Sequence, residues 1–281
     1  MSNNMLLNRL FTRNIFMDLI NENDNSLYST CVERYVNNIT STKNRALISE
    51  IYNYLKKEYR NEYYYKNTLL NKLLLGRHSL NTTTALSEIP INKSKADFVL
   101  INGKATVYEI KTELDTFDRL DSQLHDYYKA FNNVCVVTSE SNYQKAKRML
   151  EDTNVGICIL TDRNTISTRQ KPQEDNSKLD HTVLFKVLRK YEFENILLSH
   201  YGKLPVTSQV KYYKTCYKMF ASIEIDLAYR YVIQQLKQRG FIEIDEYKSV
   251  PYELKFMVYF SKYRKNDYLK LNNFLIKHWR G

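Results

Sequence analysis

Residues 88–127 read EIPINKSKADFVLINGKATVYEIKTELDTFDRLDSQLHDY, and the fold turns on how the middle of this stretch pairs. Ala96–Ile101 and Lys104–Lys111 are runs rich in β-branched and aromatic residues. Asn102-Gly103 between them is a strong hairpin signal. A two-residue loop would pair Ile101 with Lys104 and turn Asp97 away from Glu109. A three-residue loop with Gly103 in the left-handed region of a G1 bulge restores the parity. The sequence therefore predicts the bulged form. Asp97, Val99, Val107, Glu109 and Lys111 then share one face, and Phe98, Leu100, Tyr108 and Ile110 the other.

Two carboxylates and a lysine at the end of a sheet suit metal-assisted hydrolysis of a phosphodiester. Hard oxygens from Asp97 and Glu109, with the backbone carbonyl of Ile110, are ligands for Mg²⁺ or Mn²⁺. Lys111 would stand beside the attacking water or the scissile phosphate and offset developing negative charge. Glu88, on the extended segment Ala85–Ile91, is a further candidate ligand or water-orienting carboxylate. Glu-x-Lys alone is commonly a solvated ion pair worth at most about 1 kcal/mol. The pattern gains weight from Asp97, Glu88 and the helix that follows.

The Asp97 … Glu109-Ile110-Lys111 arrangement resembles the PD-(D/E)XK nuclease superfamily. Gln123 and Tyr127 resemble the Gln-x-x-x-Tyr motif of its RecB-like exonuclease branch, and Asp115 and Arg119-Leu120 precede them as in bacterial and phage members. The resemblance implies metal binding by Asp97 and Glu109 and a catalytic role for Lys111. It implies support of the site and DNA contact for Gln123 and Tyr127, with Arg119 alongside. Ala96 stands where the superfamily's name places proline. The likeness covers roughly residues 85–160.

Working outward, Phe117–Phe131 has the spacing of a helix with Leu120, Leu124, Tyr128 and Phe131 as its buried stripe. Asn133–Thr138 reads as a buried strand, Ser141–Asp152 as a helix capped by Ser141, and Val155–Leu160 as another strand. The order βββαβαβ predicts an α/β fold with a mixed central sheet flanked by helices, and the resemblance implies a restriction-endonuclease-like core at 85–165. Residues 1–84 are expected to supply a helical segment packing on that core, with one long helix from Asn44 to Leu75 ended by Gly76. The polar, proline-containing stretch 166–180 reads as a linker. Residues 181–281 read as a mainly helical region. Its helices are expected at Thr182–Ser199, Ser208–Ile223 and Asp226–Arg239. Phe241–Asp245 and Tyr252–Met257 are candidate short strands, the second equally able to open the final helix.

The chain has 42 Lys and Arg against 31 Asp and Glu, a formal net charge of +11. Residues 1–80 carry 11 basic and 7 acidic groups, 81–165 carry 10 and 12, and 166–281 carry 21 and 12, for nets of +4, −2 and +9. An acidic centre between basic arms points to nucleic acid, DNA before RNA, with Lys211 and Lys214 among the phosphate contacts. Cys31, Cys135, Cys158 and Cys216 show no metal or disulfide spacing and read as reduced core residues of a cytoplasmic protein. No apolar run has membrane-spanning length. The expectation is a Mg²⁺-dependent or Mn²⁺-dependent nuclease, alone, as a homo-oligomer or with a partner protein. The alternatives are an RNA-cleaving enzyme and a non-catalytic nucleic-acid-binding or protein-binding module of the same fold.

Overall fold

A computed structural model describes residues 4–37, 42–76, 79–240 and 242–279. In chain order the elements begin with helices α1 (Met5–Leu10), α2 (Arg13–Ile20), α3 (Ser26–Tyr35), α4 (Asn44–Glu58) and α5 (Glu62–Leu69), the last continuing into a π-helical turn at Leu70–Leu75. Three strands follow, β1 (Thr84–Ile91), β2 (Ser94–Asn102) and β3 (Lys104–Lys111). Next come α6 (Leu120–Tyr128), β4 (Asn133–Thr138), α7 (Tyr143–Leu150), β5 (Gly156–Leu160) and β6 (Ile166–Gln170). Helices α8 (His181–Val187), α9 (Lys190–Tyr201), α10 (Gln209–Ala221) and α11 (Ile225–Lys237) come next. The chain closes with α12 (Ile244–Lys248), a 3₁₀ turn at Tyr252–Leu254, α13 (Lys255–Ser261) and α14 (Lys265–Ile276).

These elements form two compact units. The first joins residues 1–77 with 112–114 and 241–281, and the second holds 78–111 and 115–240. The boundaries differ from those expected at 84, 165 and 180, because the helices of the last third divide between the two units. In the first unit Asn67 is fully buried and shows how the chain ends are tied together. Its amide donates to Tyr52 Oη (2.8 Å) and the Tyr252 carbonyl (3.0 Å), and its oxygen accepts from Phe256 N (2.9 Å). Each is a long-range bond that a buried amide must find.

The second unit is α/β: a six-stranded mixed sheet in the order β1-β2-β3-β4-β5-β6, flanked by helices. The first three strands form an antiparallel meander, β4 and β5 run parallel to β3, and β6 returns antiparallel. The parallel strands β4 and β5 are buried at every residue, as strands covered on both faces must be. Pro90 sits in the edge strand β1, where a missing N–H costs no ladder bond.

Four sequence expectations are corrected here. The expected linker contains β6; its alternation is hard to see because an edge strand exposes polar residues such as Arg169. The expected helix Asn44–Leu75 breaks at 59–61, where Asn61 caps α5 by accepting from Tyr64 N at 3.1 Å. Thr182–Ser199 breaks likewise, because the Glu192 carboxylate accepts from Arg189 N at 2.7 Å and starts α9. Of the two expected short strands, Ile244–Asp245 lies in α12 and Tyr252–Met257 in the 3₁₀ turn and α13, while Phe241 is outside the described residues. Buried Leu254, Met257 and Val258 follow helical spacing in a run too short for periodicity to decide.

The helical layer of the second unit is pinned by one ion pair. Arg239 Nε and Nη2 donate to the two oxygens of Glu192, both at 2.6 Å, and Nη2 also reaches the Val187 carbonyl at 2.8 Å. Glu192 is fully buried and Arg239 nearly so. Burial raises the Glu192 carboxyl pKa, but the hydrogen bonds from Arg239 and Arg189 N and the Arg239 charge outweigh it and hold the group below its ordinary value of 4.5. Arg239→Met is therefore expected to lower stability by about 3–5 kcal/mol in urea unfolding, because it strands a buried carboxylate. In the unsubstituted protein the pair's contribution is complete above pH 4.5 and is lost as the pH falls through the depressed folded value. An Arg239→Met midpoint equal to that of the parent would show that the pair contributes nothing.

Candidate functional site

The hairpin has the expected parity. Ile101 pairs with Ala105 and Phe98 with Tyr108 across a turn in which Gly103 takes φ 72°. A side chain at Gly103 would be strained by that backbone, since L residues are disfavoured there. Carried one step beyond Phe98 and Tyr108, the register sets Asp97 across from Glu109. Asp97, Val99, Val107, Glu109 and Lys111 then lie on the face that α6 covers.

Helix α6 lies where it does because its apolar stripe is buried, as expected at Leu120, Leu124, Tyr128 and Phe131, and because Asp126 ties it to the β1–β2 turn. Asp126 accepts from Asn92 Nδ2 (2.6 Å), Ser94 Oγ (2.8 Å) and Lys93 N (3.3 Å). Partial burial raises its carboxyl pKa, and those donors and Lys129 bring it below the usual aspartate value. The sequence reading missed Asp126, whose partners lie 32–34 residues away.

Seated this way, α6 drops Gln123 and Tyr127, one turn apart, onto Glu109. Tyr127 Oη donates to Glu109 Oε2 at 2.6 Å, and Gln123 Nε2 donates to Glu109 Oε1 at 2.6 Å. Lys111 Nζ donates to Gln123 Oε1 at 2.9 Å and stands 3.1 Å from Glu109 Oε1. The amide orientation is the one that gives the carboxylate a donor and the ammonium an acceptor. Glu109 is 1% exposed and Lys111 7%. Tyr127 Oη is also 2.9 Å from the Lys95 carbonyl, but its single proton is drawn to the charged acceptor. Burial, then the adjacent Glu109 charge, pushes the Tyr127 phenol far above the ordinary tyrosine range, so it stays a donor.

On the β1–β2 side, Asp97 Oδ2 accepts from Ile110 N at 2.9 Å. Glu88 and Asp97 are half-buried and offer carboxylate oxygens within 4.8 Å of one another, a spacing one cation can bridge. Glu88 is ion-paired with Lys95 and adopts φ 58° inside β1, between the regular pairs Ser87↔Phe98 and Ile89↔Ala96. A non-glycine residue in that region is uncommon and costs free energy. Past Lys111, the Thr138 hydroxyl donates to the Lys111 carbonyl at 2.6 Å and fixes the ends of β3 and β4 together.

The structure thus gathers Glu88 with Asp97, and Glu109 with Lys111, Gln123 and Tyr127. Ile110 enters through its N–H, not through its side chain, which is buried on the opposite face. Arg119 is exposed at the start of α6, and Lys211 and Lys214 are exposed on α10. Tyr127 is 0% exposed, so the expected DNA contact is corrected: its hydroxyl is turned inward to Glu109. No helix among the described residues is long and apolar enough to cross a membrane. The four cysteines are buried thiols outside any disulfide, those of Cys135 and Cys158 lying 3.3 Å apart.

Comparison with known proteins gives a family match. The family described as Bacteriophage P4 protein cII matches residues 55–256, a span holding every candidate residue above. Protein cII of Enterobacteria phage P4 is 27% identical over 173 residues, covering 59% of this chain. The match spans 63% of that relative's length. Among solved structures, a protein of unknown function from Silicibacter pomeroyi aligns with 46% of this chain and 87% of its own, at 13% identity and a TM-score of 0.29. That likeness carries no argument about fold.

The Glu109 network makes a direct prediction. Tyr127→Phe keeps the ring and removes one donor from a buried carboxylate, so it is expected to cost about 1.5–3 kcal/mol in urea unfolding. Unchanged stability would mean that Gln123 and Lys111 satisfy Glu109 by themselves.

Proposed function

The chain belongs to the Bacteriophage P4 protein cII family, and from the geometry of its sheet we propose that it is a metal-dependent nuclease of PD-(D/E)XK type acting on DNA. The observation that supports this most is the juxtaposition of Asp97 on β2 with Glu109 and Lys111 on β3, backed by Gln123 and Tyr127 from α6. The antiparallel meander followed by parallel strands joined through α6 supports a restriction-endonuclease-like core for the second unit. The strained Glu88 backbone beside Asp97 adds to the reading, since strain persists where the surroundings over-determine it.

The donor set fits Mg²⁺ or Mn²⁺. Glu88 and Asp97 supply hard oxygens at cation-bridging separation. Glu109, held by Tyr127, Gln123 and Lys111, would be the further carboxylate of the set. The Ile110 carbonyl is a further candidate. A bound divalent cation supplies Lewis acidity toward phosphate oxygen and lowers the pKa of coordinated water.

The protein's own groups do the rest. The Ile110 N–H orients the Asp97 carboxylate, and Tyr127 and Gln123 orient that of Glu109. Lys111, held by Gln123, presents a buried positive charge against which negative charge on a phosphate oxygen is stabilised, and burial strengthens that effect. Arg119, exposed one turn before Gln123, would meet the phosphate backbone.

Asp97→Ala, Glu109→Gln and Lys111→Ala are each expected to lower Mg²⁺-dependent cleavage of plasmid, linear duplex or single-stranded DNA by at least about 10²-fold, with EDTA abolishing it in the parent. Circular dichroism verifies that each variant is folded. Full activity in Glu109→Gln refutes the mechanism. Absence of cleavage of any DNA or RNA substrate by the parent would favour the non-catalytic binding module.

A further inference from the structure

Outside the site, the segment from the α9–α10 loop through α10 combines basic and apolar exposed side chains. Between Glu194 and Glu224 there is no acidic residue, while Lys203, Lys211, Lys214 and Lys218 all fall within that interval. These four lysines are exposed. The same segment shows large apolar side chains to solvent: Val206 is 104% exposed, Val210 94% and Tyr213 53%. A helix in a soluble unit normally turns such residues inward.

The geometry of α10 separates the two kinds of group. At about 100° per residue, Tyr213 and Val210 fall on one side of the exposed surface, and Lys214, Lys218 and Lys211 on the strip beside them. The lysine strip runs about 10 Å along the axis at a rise of about 1.5 Å per residue. The Tyr213 ring is held from behind. It packs edge-on against Phe185 at 5.1 Å and Phe193 at 6.0 Å between centroids. It therefore offers a half-exposed face with little freedom left to lose on binding. Nearby, Tyr212 donates to Glu194 at 2.7 Å, which engages a carboxylate flanking the strip.

We infer that this face of α10, with the preceding loop, binds single-stranded DNA, the lysines engaging phosphates and Tyr213, Val210 and Val206 receiving the faces of unpaired bases. Duplex DNA presents phosphates outward and keeps its base faces stacked, so it would use the lysines and leave the ring and valines exposed. Unpaired bases use both strips, which is the combination found in single-strand-binding grooves. The choice of DNA rests on the nuclease reading of the sheet site. It names the substrate class of that enzyme as DNA with a single-stranded portion. Binding here requires neither a cation nor the carboxylates.

The test is fluorescence anisotropy in EDTA with a labelled thirty-nucleotide oligo-dT, a duplex of equal length and an oligo-U strand. EDTA separates this inference from the nuclease reading, because binding is measured whether or not the sheet site hydrolyses anything. Tyr213→Ala is expected to weaken oligo-dT binding about tenfold or more and duplex binding much less. Val210→Asp and Lys218→Glu alter exposed positions outside the core, so circular dichroism is expected to be unchanged, and each is expected to weaken oligo-dT binding. Lys218→Glu should also flatten the salt dependence. The inference is overturned if the parent fails to bind oligo-dT, if Val210→Asp leaves its affinity unchanged, if duplex binds as tightly and loses as much in Tyr213→Ala, or if oligo-U binds more tightly than oligo-dT.

Discussion

A carboxylate with almost no access to water dominates the second unit. Removing an ion such as that of Glu109 from solvent costs several kcal/mol, and only close, well-oriented partners offset it. Lys111 supplies the opposite charge two residues along the same strand, and Gln123 and Tyr127 supply the remaining donors from α6. That requirement propagates outward. The helix must hold its position along β3 to within hydrogen-bond tolerance, which the Asp126 clamp on the β1–β2 turn secures. Asp97 must face the same way as Glu109, which the left-handed Gly103 secures.

The same physics recurs in the helical layer, where the buried Glu192 is satisfied by a two-pronged Arg239, the Arg189 N–H and the Tyr191 hydroxyl. There the partners close completely around the carboxylate and nothing distorts the backbone. The sheet site differs in character. Glu88 and Asp97 approach one another, and Glu88 sits in a disfavoured conformation. A buried pair that only stabilised the fold would be replaceable by apolar residues at little cost. Two carboxylates brought together, one of them strained, are the arrangement that the proposed chemistry would use.

Placement on the sheet is consistent with that view. The site lies where β3 ends alongside β4, at the carboxyl ends of parallel strands, where α/β sheets leave room for ligands. Thr138 braces that end through the Lys111 carbonyl, so the lysine is carried on rigid strand backbone and not on a loop.

Much of this was present in the sequence. Strand and helix periods located β3 and β4 to the residue, the order of elements predicted a mixed sheet, and the Asn-Gly turn with Asp97 and Glu-x-Lys predicted a shared face, because side-chain direction in a strand follows from parity alone. Elements of low periodicity were not legible: the polar edge strand β6, and the short apolar runs that became α12 and α13. Nor was the inward role of Tyr127. Its i, i+4 spacing from Gln123 says the two share a face, but which way that face points depends on where α6 packs, and Asn92, Ser94 and Leu120 decide that jointly. Local geometry can be read from neighbours in sequence. The pairing of a buried charge depends on partners brought from other elements, and only the packed structure supplies them.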